Sequence, residues 1–126
     1  MKKEILHTDK APKAIGPYSQ AIVIDDFIYT SGQVAFIPET GELIQTNIKD
    51  ATRQTLENIK AILGAKGAGM ENVIKTTVFL KNILDYGEMN EVYAEYFSKN
   101  PPARTALEVA TLPLDALIEI EVIAHL

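Results

Sequence analysis

The residues best suited to chemistry lie in the last quarter of the chain, PPARTALEVATLPLDALIEIEVIAHL. Arg104 follows Pro101-Pro102 and stands in a run that otherwise reads as an apolar strand. An unpaired guanidinium in that setting would be costly, so it must bind a planar anion or be neutralised by an acid. Alternation puts Arg104, Ala106 and Glu108 on one strand face and Thr105, Leu107 and Val109 on the other. In the next strand Glu119 and Glu121 share a face, opposite Ile118, Ile120 and Val122. Two readings are open. Arg104 is an ion-pair partner of Glu108, Glu119 or Glu121 across the sheet, or it is a bidentate clamp on a substrate carboxylate, for which a planar fork suits better than a lysine. The acids are likewise solvated, or one of them orients a water or exchanges a proton with a bound substrate. A carboxylate beside the guanidinium would stay ionised.

Three further positions are candidates. Tyr18 sits in the turn Gly16-Pro17-Tyr18-Ser19-Gln20, either as a structural plug or lying over a pocket with its hydroxyl available. Ser31-Gly32-Gln33 ends a strand with small residues, which suits a tight turn or a close backbone approach to a ligand. His7 and His125 stand near the two ends of the chain, in no spacing that resembles a metal site. Ser19 and Ser31 have no evident His–Asp relay, and Gly64, Gly67 and Gly69 follow a helix instead of opening one. The expectation is chemistry without a metal, nucleotide or acyl-enzyme.

The elements that must carry these residues read as follows. Short strands are expected at Glu4–His7, Ala21–Ile24 and Phe27–Ser31, the last two joined by an Asp25-Asp26 hairpin. Gly32 suits a bulge, and residues 39–42 make a turn. A helix runs from Ile48 to Ala65 with Thr46 or Asn47 as its cap. Val73–Leu80 is a strand rich in β-branched residues. A second helix spans Leu84–Phe97, where Asp85 and Glu88 have capping-box spacing and Tyr86, Met89, Tyr93, Tyr96 and Phe97 form a buried stripe. Strands Ala103–Val109 and Leu117–Ala124 close the chain. Two helices cover one face of such a sheet. The strands nonetheless carry large residues on both faces: Phe27 and Tyr29 against Ile28, and Ile74 and Val78 against Val73 and Phe79. An uncovered apolar face implies a homo-oligomer that buries it.

Composition bounds the function. With 126 residues the chain is expected to form one domain, residues 1–126. Its net charge of −5 weighs against nucleic-acid and anionic-membrane partners. It has no cysteine, which fits a reducing compartment. No apolar stretch has signal-peptide or bilayer-spanning length, and the expected location is the cytoplasm.

Taken together, AIGPYSQA (14–21), YTSGQ (29–33), VIKTTVFLKN (73–82), MNEVYAEYF (89–97), PPARTALEVATLP (101–113) and IEIEVIA (118–124) resemble the Rid (YjgF-type) family of reactive-intermediate deaminases, most of all its archetypal enamine/imine branch. The resemblance implies an α+β, chorismate-mutase-like fold with two helices on one face of a mixed six-stranded sheet. It implies a homotrimer with a barrel-like centre and three active sites between subunits. Family members hydrolyse 2-imino acids such as 2-iminopropanoate and 2-iminobutanoate, tautomers of enamines released by pyridoxal-phosphate-dependent dehydratases, to 2-oxo acids and ammonia, without a cofactor. By the same resemblance Arg104 binds the substrate carboxylate, Glu119 stands near the attacking water, and Tyr18 lines the pocket. Ser31 and Gly32 border the ligand, and Asn90 falls at a family-typical position with a structural role. Ala106 stands where many relatives carry cysteine. That departure leaves a deaminase intact and removes any thiol-dependent activity. Two rival functions come with the resemblance: a non-enzymatic ligand-binding regulator using the same pocket, and a translation-inhibiting ribonuclease, which the acidic charge disfavours.

Overall fold

A computed structural model describes residues 2–126. Its strands are β1 (Glu4–Leu6), β2 (Ala21–Ile24), β3 (Phe27–Thr30), β4 (Val73–Leu80), β5 (Ala103–Glu108) and β6 (Ile118–His125). The helices are α1 (Ile48–Gly64) and α2 (Tyr86–Tyr96). The six strands form one sheet in the order β1-β2-β3-β6-β4-β5. All pairings are antiparallel except β4 with β5, which α2 connects as a parallel crossover. This is the mixed six-stranded sheet with two helices that the sequence predicts. No helix among the described residues is long and apolar enough to cross a membrane.

The turn between β2 and β3 closes because Asp25 accepts a left-handed backbone (φ 53°), which short polar side chains tolerate. Asn47 is the cap of α1: its side chain accepts a hydrogen bond from the Asp50 backbone N–H. Residues Ile48, Ala51, Thr52, Thr55, Leu56, Ile59, Ile62 and Leu63 then recur at helical spacing and are buried. They pack on Ile28, Val78, Ile118, Ile120, Val122 and Ala124, the helix-facing side chains of the sheet. The chain leaves α1 through Gly67, whose φ of 75° favours glycine.

Four expectations are corrected. The second helix starts at Tyr86, because a 3₁₀ turn at Ile83–Asp85 precedes it. Asn82, not Asp85, makes the local side-chain bond, accepting from Leu84 N–H, so no Asp85–Glu88 capping box forms. The buried stripe of α2 is Met89, Val92 and Tyr93, with Phe97 just beyond it. Tyr86 is 38% exposed, and Tyr96 is half-buried, donating its hydroxyl hydrogen bond to Glu57 on α1. Finally, an irregularity between Val73 and Lys75 resets the alternation of β4. Val73 and Val78 are therefore both buried, and Ile74 is exposed.

Among the described residues no helix covers the opposite sheet face. Tyr29 and Leu107 are exposed there, and Phe79 and Ile123 are half-buried, beside Glu119 and Glu121.

Candidate active site

Arg104 projects from the edge strand β5. In register it stands opposite Thr76, which is fully buried under the helices, so its side chain lies on the helix-covered face. There α2 receives it. Arg104 Nη1 donates to Asn90 Oδ1 at 2.7 Å, and Nη2 donates to the Tyr86 hydroxyl at 2.7 Å. The guanidinium carbon lies 4.6 Å from the centre of the Tyr93 ring and 5.4 Å from that of Tyr86, both cation–π distances. The Tyr93 hydroxyl is itself held by Thr76 Oγ1 at 2.7 Å. Burial pushes the Tyr93 phenol up from its ordinary pKa. The Tyr86 phenol is pulled down by its hydrogen bond with Asn90 and by the Arg104 charge.

Among the described residues no carboxylate pairs with Arg104. Within one chain the register keeps the β6 acids away from it: Glu119 and Glu121 pair with Phe79 and Thr77, on the other sheet face. Glu108 instead accepts from the Ile83 backbone N–H. Asn90 and Tyr86 occupy two of the five N–H groups of a guanidinium and leave the rest for an anion. An open cleft of about 470 Å³ adjoins it, between α2 and Pro101-Pro102. Ala106, two residues along β5, also faces the helices and packs against the core.

Glu119, Gly32, Ser31 and Tyr18 form a second cluster. From Tyr29↔Ile123 to Gln33↔Ile120 the chain advances four residues on one side and three on the other, so a bulge lies at Thr30–Gly32. Ser31 is fixed there by its N–H on Gln20 O (2.8 Å) and its hydroxyl on Ser19 O (2.6 Å). Gly32 presses its Cα against the Glu119 carboxylate; a Cβ would stand 2.8 Å from Glu119 Cδ. Half-burial raises the Glu119 pKa, and the neighbouring Glu121 charge raises it further. Within one chain Glu119 and Arg104 occupy opposite sheet faces, so no guanidinium of the same chain offsets this rise. Tyr18 is half-exposed and lines a 520 Å³ cleft together with Gly32, Gln33 and Leu114.

Sequence reasoning assigned no site role to Tyr86 or Tyr93. Their spacing with Asn90, at i, i+4 and i+7, was the signal: one helical face bearing three polar tips. It also missed two buried amides. Gln20 donates to Thr8 O and Pro12 O and accepts from Thr8 N–H, fixing the segment before Tyr18. Asn58 donates to Val34 O and Phe36 O, fixing the segment after Gly32.

Comparison with known proteins places this geometry in a family. Residues 8–126 match the family model described as endoribonuclease L-PSP. A RutC family protein of Pyrococcus horikoshii is 57% identical, with 98% of each chain covered. Human 2-iminobutanoate/2-iminopropanoate deaminase is 46% identical over 97% of this chain and 89% of its own. Among solved structures, E. coli TdcF with bound serine superposes with a TM-score of 0.93 at 40% identity, covering 98% of both chains. The alignments in sequence and in fold extend over almost the whole chain, and the chain belongs to the Rid (YjgF-type) family.

Proposed function

We propose that this protein is a 2-iminobutanoate/2-iminopropanoate deaminase, which hydrolyses reactive imines derived from enamines to 2-oxo acids and ammonia. The observation that carries the reading is Arg104 itself. Among the described residues it is a guanidinium without an acid partner, held by Asn90, Tyr86 and the Tyr93 ring beside an open cleft. Such a group suits the carboxylate of a small 2-imino acid. The human relative named for this reaction supports the choice of substrate.

The chemistry then needs few groups. An imine carbon is already electrophilic, so the enzyme must hold the acid, present a water and move protons. Glu119 accepts a proton as water adds to C2 of the imine and passes it to the nitrogen, giving a carbinolamine. It then carries the carbinolamine hydroxyl proton to the same nitrogen, the C–N bond breaks as the C=O forms, and ammonia leaves with the 2-oxo acid. A carboxyl whose pKa is raised by burial exchanges that proton closer to neutral pH than an ordinary one. Tyr18, Ser31 and Gly32 line the wall beside Glu119, and Ala106 contributes to the β5 side of the pocket.

Arg104 and Glu119 stand on opposite faces of one sheet. A working site therefore joins Arg104 of one copy to Glu119 of another. The uncovered apolar face around Tyr29 and Leu107 supports self-association, and we take the assembly to be a homotrimer acting in the cytoplasm. The ribonuclease named in the family description would need a cationic track for phosphates, and a net charge of −5 works against one.

The test is ammonia release from freshly generated 2-aminoacrylate, comparing wild type with Arg104→Ala. The variant should stay folded and lose activity on the order of 10²-fold or more. Near-normal turnover in Arg104→Ala would overturn the role assigned to this residue. Binding of 2-oxo acids without faster ammonia release in wild type would favour a sensor.

A further inference from the structure

We propose that the Tyr86 hydroxyl is a substrate-binding group, donating a hydrogen bond to the carboxylate that Arg104 clamps. The inference rests on the pocket reading above and adds a residue to it. Tyr86 opens α2 and keeps 38% of its surface exposed, unlike the buried Tyr93 one helical face below. Its oxygen accepts from Arg104 Nη2 at 2.7 Å. A phenol that accepts from a cation has its own proton left to donate, and that proton must point away from the guanidinium. Any carboxylate reaching the remaining N–H groups of Arg104 meets this O–H alongside them. The Tyr93 hydroxyl does not compete, because it is engaged by Thr76. Asn90 does not duplicate it either, since its oxygen accepts from Nη1 and its amide group is taken up in the hydrogen bond with the Tyr86 oxygen.

The site then recognises an anion by a fixed cation flanked by a neutral donor. Arg104, from β5, is the charged group facing the phenol. Ionised, Tyr86 would be an anion lying against Arg104 and would compete with substrate for it. The neutral form is the one that binds.

The experiment is calorimetric titration with 2-oxobutanoate, the product carboxylate, alongside steady-state kinetics of Tyr86→Phe. The Phe ring keeps the packing and removes only the O–H. Dissociation constant and KM should both rise about tenfold with kcat little changed, the signature of a lost ground-state contact to a charged group. Tyr96→Phe, which strips a hydroxyl from the same helix away from the cleft, should leave both unchanged. Wild-type affinity should fall as pH rises through a phenol pKa below the ordinary value of about 10, and this basic limb should vanish in Tyr86→Phe. An unchanged dissociation constant in Tyr86→Phe, or a basic limb that persists in it, overturns the proposal. Wild type that binds 2-oxobutanoate in this Tyr86-dependent way without hydrolysing imines would sink the deaminase reading and uphold this one.

Discussion

Gly32 and Glu119 are in contact so close that residue 32 has room for no side chain: a Cβ there would stand 2.8 Å from the Glu119 carboxyl carbon and 3.1 Å from its Cγ. The glycine is not required by its backbone angles, since its φ lies outside the left-handed region. It is required by the acid. Gly32→Ala should therefore push the Glu119 carboxylate aside without straining the chain. A displacement of about 1 Å at a reacting group costs on the order of 10² in rate, whereas moving the end of a flexible side chain costs little stability. The expected result is a large fall in kcat with a melting temperature within a few degrees of wild type. Full activity in Gly32→Ala would mean that the carboxylate position is immaterial.

The same acid sets a pH dependence in both activity and stability. Burial and Glu121 raise the Glu119 pKa in the folded chain above its unfolded value. The folded state thus holds the proton more tightly than the unfolded one, and stability falls as pH rises from the unfolded value through the raised folded value. Glu119→Gln should consequently melt higher than wild type at pH 7, and the difference should disappear near pH 4. For activity the sign is the reverse, because the ionised form accepts the proton. The acid limb of kcat/KM should lie above the ordinary glutamate value, and Glu121→Gln should move it to lower pH. A limb that stays in place in Glu121→Gln would remove Glu119 as the titrating group.

Much of the fold is legible because buried faces leave a period in the sequence. The stripe from Ile48 to Leu63 is helical at every step, and its cap is one of the two residues that local chemistry allows. The second helix was harder to read, since Tyr86 falls at the spacing of a core residue yet turns its ring toward Arg104. Aromatic spacing does not distinguish a side chain facing a core from one facing a cation. Alternation likewise sorts Arg104 from Thr105, and Glu119 from Ile120, within their own strands. It says nothing of which face of β5 matches which face of β6. That relation is fixed by two separate registers against β4, Thr76↔Arg104 and Phe79↔Glu119. The candidate residues were therefore visible one by one, and their division between two sheet faces was not.

The wall that carries Gly32 depends on a buried amide. Asn58 on α1 is almost fully buried and donates to Phe36 O at 2.8 Å and to Val34 O at 3.2 Å. Asn58→Ala leaves both carbonyls without that partner, at about 1–3 kcal/mol for each group that water does not reach. A loss of about 2–3 kcal/mol in urea unfolding is expected. Activity should fall further than global unfolding explains, because the residues after Gly32 lose their anchor. A loss below about 0.5 kcal/mol would show that water replaces the amide freely.

The placement of Arg104 under α2 and of Glu119 on the bare face makes a prediction that a single-chain site does not share. Arg104→Ala and Glu119→Gln should each be nearly inactive alone. Unfolded together in equal amounts and refolded, they should form mixed assemblies in which some sites receive Arg104 from one variant and Glu119 from the other. With random mixing each donor is intact half the time, so about a quarter of wild-type activity should return. Mixing the two variants after folding should restore activity only as fast as subunits exchange. If both residues served one site from the same chain, every site would lack one of them and no activity would return. Absence of recovery, in mixtures shown by mass spectrometry to contain both variants in one assembly, would refute the division of the site between copies.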